Sequence, residues 1–259
     1  MPPLTPGLPH WAIESAYAPL LEVEKAGLAW EWLRRDPDYR AAALDAIARR
    51  KPRSVLREEA AAASFGLHAF EDPGLNARSA RPVWRAARHN LVLEAWAEPS
   101  KDPANALDLE GLPGQATLVL GEQAEHLLLS DGCRSIRLDA TGASLVSGPV
   151  RLHYRLNGLG DASAPLVVLR RLLALARTGQ FSRALHPPEA RLRRLVGILR
   201  AADALKAGAS QREIAAVLLG AEAARPRWRI RSPSTRSRAQ RLARSSAAMA
   251  AGGWHELLV

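Results

Sequence analysis

The chain lacks the residues and patterns on which several classes of function depend. It has one cysteine, Cys133, in 259 residues, which excludes an intrachain disulfide framework and a thiolate metal site. No stretch approaches the ~18 consecutive apolar residues of a membrane span, and the most apolar segment, 166–176, is interrupted by Arg170 and Arg171. The start of the chain, Met1-Pro-Pro-Leu4, has no charged segment leading into an apolar one, so no secretory signal is expected. The P-loop, G-x-G-x-x-G and G-x-S-x-G patterns are missing. The seven histidines, at 10, 68, 89, 126, 153, 186 and 255, are scattered without ligand-spaced neighbours. His68 does lie near Glu71 and Asp72, but in a stretch that reads as linker. Glu58 and Glu59 are adjacent, so on a helix they diverge. The expectation is a cytoplasmic protein with no catalytic residue, metal or cofactor, that is, not an enzyme.

Charge is what the chain has in excess. Hydrophobic residues make up 47%, enough for a real core, and the length suits one large or two ordinary domains. Lys and Arg number 36 against 26 Asp and Glu. Residues 1–150 hold 16 basic and 20 acidic side chains, whereas 151–259 hold 20 basic and 6 acidic. A GC-rich genome would favour arginine over lysine throughout, and only four lysines occur (Lys25, Lys51, Lys101, Lys206). It would not remove acids from the last hundred residues. A one-sided basic half is the electrostatic footprint of a polyanion binder, and a solvated basic surface is the plainer alternative.

The pattern predicts an α+β protein with a small helical unit at the N-terminus (1–52), a linker and irregular region (53–110), a central antiparallel β-meander (111–160) and a C-terminal helical domain (161–259). Residues 11–50 read as helix, with a stop and restart at Asp36-Pro37, where Asp can cap and proline suits the first turn. Trp30, Trp32 and Tyr39 suit either the core of this unit or a partner-binding patch. Residues 53–80 read as a short helix and a loosely ordered linker. Short β-favouring runs at 117–120, 126–129, 134–138, 143–146 and 150–156 are divided by glycine turns. In the last run Arg151, His153 and Arg155 alternate with Leu152, Tyr154 and Leu156, which predicts one wet and one buried face. Helical periodicity returns at 164 and stops at Gly179. It resumes over 192–205 and again after Ser210-Gln-Arg-Glu213, a capping-box pattern. A last long helix spans about 234–249 and ends at Gly252-Gly253, after which Trp254 to Leu258 is expected to pack back on the bundle.

The segment 190–249 thus has the element order of a helix-turn-helix reader of double-stranded DNA, whose last helix enters the major groove. Over 225–244 there are eight arginines (225, 227, 229, 231, 236, 238, 241 and 244) and no acid. On a helical wheel Thr235, Ala239, Leu242, Ser246 and Met249 share one side. Ser234, Ser237, Arg241 and Arg244 lie opposite, flanked by Arg238 on one side and by Arg236 and Gln240 on the other. Arginine can make two bonds to guanine or phosphate, glutamine suits adenine and serine suits phosphate. The candidate DNA-binding residues are Ser210, Gln211, Arg212, Arg227, Arg229, Arg231, Ser234, Arg236, Ser237, Arg238, Gln240, Arg241 and Arg244. Thirteen residues separate Gly220 from Ser234, where a compact turn has three or four. Either this connection is an expanded basic loop, with Trp228 as its anchor, or another helix does the reading.

The segments Gly148-Pro-Val-Arg-Leu-His-Tyr-Arg-Leu156, Ser210-Gln-Arg-Glu-Ile-Ala215, Ser234-Thr-Arg-Ser-Arg238 and Gly252-Gly-Trp254 resemble the DUF2285 family, the DNA-binding domain of RovC-like transcription factors. Ala29-Trp-Glu-Trp-Leu-Arg-Arg-Asp-Pro-Asp-Tyr-Arg40 resembles its companion, the DUF6499 transcriptional-regulator-like domain. The resemblance implies a helix-turn-helix regulator of genes on an integrative and conjugative element of proteobacteria. This chain departs from the family pattern at Thr235 and Gln240, which puts the operator sequence in doubt. The N-terminal unit would contact RNA polymerase or a regulatory protein, and a homodimer on paired half-sites is expected. Two alternatives are a protein-interaction antiactivator or adaptor, and an accessory factor in recombination or plasmid replication.

Overall fold

A computed structural model describes residues 8–51, 55–220 and 233–259. A 3-10 segment, Glu14–Leu21, leads into α1 (Lys25–Leu33) and α2 (Pro37–Arg49). The break between the helices lies where the sequence places it. Asp36 Oδ1 accepts from the backbone N–H of Asp38 (2.8 Å) and Tyr39 (3.0 Å), and Pro37 occupies the first turn. Trp30, Trp32 and Tyr39 are buried, so they are core and not an exposed partner patch. Tyr39 sits edge-on to both Trp30 and Phe65, a favoured aromatic geometry.

Residues 60–84 begin with α3 (Ala60–Ala63), as expected, but the stretch beyond that helix is not loose. Leu67, Phe70, Ala77, Ala80 and Trp84 enter the same core as α1 and α2. Irregular backbone can be buried there because side chains satisfy its polar groups. Trp30 Nε1 donates to the Leu75 carbonyl (3.0 Å), Tyr39 Oη to that of Glu71 (2.8 Å) and Arg34 Nε to that of Pro73 (3.2 Å).

The sheet has five strands, β1 (Leu93–Pro99), β2 (Gln115–Leu120), β3 (Glu125–Ser130), β4 (Ser135–Gly142) and β5 (Val150–Arg155), in the order β2-β3-β4-β1-β5. The class is α+β as the pattern predicts, but the all-antiparallel meander needs correction. Only β2, β3 and β4 form one. β1 is inserted between β4 and β5, parallel to the first and antiparallel to the second. Its alternation supplies Leu93, Ala95 and Ala97 to the buried face and Glu94 and Trp96 to solvent, so it completes the inner layer. Residues 143–146 form no strand; Glu125 instead accepts from Ser144 Oγ and the Leu145 N–H. β5 lies at the edge, so Tyr154 and Leu156 stay partly exposed, and the buried face expected for that run stops at Leu152. α4 (Ser163–Thr178) covers the inner face through Val168, Leu172 and Leu175. Gly179, at φ +67°, ends that helix in the left-handed conformation glycine adopts without strain.

A 3-10 turn, Arg183–Leu185, precedes α5 (Leu192–Lys206), α6 (Gln211–Leu219) and α7 (Pro233–Ala250), and a 3-10 turn, Gly253–Leu258, comes last. Trp254, Leu257 and Leu258 do pack back, onto the N-terminal core beside Trp84. α5 contributes Leu192, Val196, Ile198 and Leu199 to that core. A buried ion pair reinforces the junction: Arg35 Nε and Nη2 donate to Asp203 Oδ1 (2.8 Å) and Oδ2 (3.0 Å). Asp203 also accepts from Tyr17 Oη at 2.6 Å.

Candidate nucleic-acid interface

The surface centres on α7, whose inner side explains how its outer side is held. Ala239 and Ser246 are buried, and Leu242 and Met249 pack against buried clusters. Ala239 meets Ala215 of α6, with Leu219 alongside, and these small side chains let the two helices approach closely. Ser246 Oγ lies 2.9 Å from the Ile198 carbonyl of α5 and from the Leu242 carbonyl of its own helix, fixing rotation about the helix axis. With that face pinned, Ser234, Arg236, Arg238, Gln240, Arg241 and Arg244 are exposed and Ser237 is half-buried. Among the described residues no carboxylate lies within ion-pair distance of those four arginines. α7 carries no acid, so its outer surface is cationic over residues 236–244.

α6 lies beside it with a satisfied N-terminus. The Glu213 N–H donates to Ser210 Oγ (3.3 Å) and the Ser210 N–H to Glu213 Oε2 (2.7 Å). That second bond holds the Glu213 carboxyl below its ordinary range. Ile214 and Ala215 face inward, while Ser210, Gln211 and Arg212 are exposed. The structure therefore puts seven expected residues on α7, six exposed and Ser237 half-buried, and three more at the start of the adjacent helix. Arg227, Arg229 and Arg231, with Trp228, lie outside the described residues.

Two arrangements escaped sequence reasoning. The Arg35–Asp203 pair joins residues 168 apart in the chain, and nothing local marks either as buried. Glu58, His68 and His126, groups able to hold a metal ion, also converge. Yet Glu58 and His68 fall in the apparent linker and His126 lies on β3. Among the described residues no helix is long and apolar enough to cross a membrane.

The cationic helix surface lies within a stretch that the family comparisons match to a DNA-binding domain of a transcription regulator. The model described as "T6SS, Transcription factor, DNA binding domain", the RovC DNA-binding domain, matches residues 157–259. The model described as "Proteobacterial transcriptional regulator-like domain" matches residues 10–68. The chain is a fusion of these two domains, the regulator-like domain first. No curated protein and no solved structure matches it.

Proposed function

We propose that the protein is a sequence-specific regulator that lays α7 in the major groove of its operator, with α6 as the companion helix of a helix-turn-helix. The observation that carries this reading is the outer surface of α7. It is arginine-rich and free of acid, and its opposite face is locked into the core. Arg236, Arg238, Arg241 and Arg244 would divide between guanine edges and phosphates, Gln240 would reach adenine, and Ser234 and Ser237 would bond phosphate. Ser210, Gln211 and Arg212 would meet the backbone at the start of α6, and Arg227, Arg229 and Arg231 would add phosphate contacts from the connection. In this reading the protein acts as a homodimer on paired half-sites, its N-terminal unit contacts RNA polymerase or a regulatory protein, and its targets are genes of a bacterial mobile or conjugative element.

Genome-wide mapping of bound sites, followed by gel-shift on the recovered promoters, tests this. Affinity is expected to fall with salt at a log–log slope of ~0.9 per phosphate neutralised. Arg241→Ala is expected to cost ~1–3 kcal/mol and to relax preference at one base position. If the variant binds operator and random DNA unchanged, α7 is not the reading helix. Sites confined to element ends or a replication origin would move the protein to the recombination or replication role.

A further inference from the structure

On the face of the sheet turned toward the N-terminal unit, Glu58, His68 and His126 each offer one ligand atom within 4.8 Å of the others. Glu58 precedes α3, His68 lies beyond it and His126 lies on β3. The two imidazoles stack with centroids 3.5 Å apart at an interplanar angle of 21°. Each has its Nδ1 engaged by a carboxylate: His68 Nδ1 lies 3.0 Å from Glu58 Oε1, and His126 Nδ1 lies 2.6 Å from Asp139 Oδ1 across the β3–β4 ladder. The Asp139 carboxylate on His126 Nδ1 fixes the tautomer that leaves its Nε2 as a bare lone pair, the usual support for a metal-bound histidine, while His68 presents Nδ1 to the same space as the Glu58 carboxylate.

The chain keeps space open beside the cluster. A Cβ at Gly121 would come within 2.9 Å of His126 Nε2 and 3.0 Å of Glu58 Oε2, so glycine leaves these two atoms room. Asp139 is held by Arg137 (2.8 Å) and Glu58 by Arg85, so both carboxylates are themselves oriented.

We propose that Glu58, His68 and His126 form a binding site for one divalent transition-metal ion of the zinc type, with Asp139 positioning His126. Two imidazoles and a carboxylate are the ligands such an ion prefers, whereas Mg²⁺ and Ca²⁺ favour oxygen alone. Ligand atoms around a tetrahedral ion with ~2.0 Å bonds lie about 3.3 Å apart, so the site closes by splaying the stacked rings. The bound ion would join the N-terminal segment to β3, next to the backbone bond from the Glu58 N–H to the Leu120 carbonyl (2.9 Å).

The test uses untagged full-length protein stripped by chelator. Co²⁺ is expected to bind at about one equivalent with visible d–d absorption that Zn²⁺ abolishes and Mg²⁺ leaves unchanged. Saturating Zn²⁺ should raise the melting temperature by at least about 5 °C. Glu58→Gln and His126→Gln should each weaken Co²⁺ binding at least about tenfold, and His153→Gln, on the exposed side of β5, should not. If stripped wild-type protein shows neither the absorption nor the thermal shift at millimolar metal, there is no such site. Binding that survives both substitutions would place it elsewhere and equally overturn the proposal. The wild-type titration stands even if a variant fails to fold.

Discussion

At the scale of single residues, two kinds of charged side chain are set apart by burial. Arg35 and Asp203 are almost wholly enclosed, and Arg35 also pairs with Glu31, itself buried beside Arg34. Burial raises the Tyr17 hydroxyl far above its ordinary range, and the neighbouring Asp203 charge raises it further. Removing one member of a buried pair leaves an unpaired charge in low dielectric, typically a loss of ~3–5 kcal/mol. Asp203→Ala should therefore destabilise the protein by about 3 kcal/mol in urea unfolding, the low end because Glu31 still holds Arg35. Arg241→Ala, on the open surface, should change stability by less than ~0.5 kcal/mol while weakening DNA binding. If Arg241→Ala instead unfolds the protein, the side chain is scaffold and the interface is misplaced. Neither role could be told from residue type. Arg35 stands beside Arg34 and Asp36 in a run that looks solvated, and its partner comes from a helix far along the chain.

At the scale of elements, features written into neighbouring residues were legible and those made by distant pairing were not. Asp36-Pro37, Ser210 to Glu213, Gly179 and Gly252 mark helix ends, and the structure ends helices at each. The buried and exposed faces of α7 follow from its 3.6-residue period, which is why the exposure of its arginines was legible in the sequence. β1 was not legible. Its seven residues read as a strand only because β4 and β5 flank them, and parallel pairing depends on a long connection. The histidine cluster was hidden for the same reason, because His126 lies 58 positions beyond His68. The α6 cap makes a local prediction. Ser210→Ala should cost ~1 kcal/mol, read as faster amide hydrogen exchange confined to 211–219. Unchanged exchange there would show that packing against α7, and not the cap, holds α6 in place.

At the scale of the molecule, the first and last parts of the chain share one core, so the acidic N-terminal half braces the basic C-terminal helices, and among the described residues the arginines of α7 stay exposed. The clasp at that seam holds a pH-sensitive group. His89 is buried, with Nδ1 3.0 Å from the Leu258 carbonyl. Arg137, Glu24 and Arg171 are the charged groups that act on it, and burial chiefly pushes it down to about 4. In the unfolded chain the same imidazole takes its proton near ~6.5. Between those two values the unfolded state binds more protons, so stability is complete above pH ~6.5 and falls as pH drops toward 4. The full loss is on the order of 3 kcal/mol. Carboxylates held low by partners, such as Glu24 and Glu31, add their own loss only at the acid end, below their unfolded values near ~4.3. The interval from pH ~6.5 to ~5 therefore separates the histidine contribution from theirs. Urea unfolding of His89→Gln should give a flatter stability curve there than the wild type. Parallel curves for the two proteins would mean that His89 is protonated without penalty and that the seam is open to water.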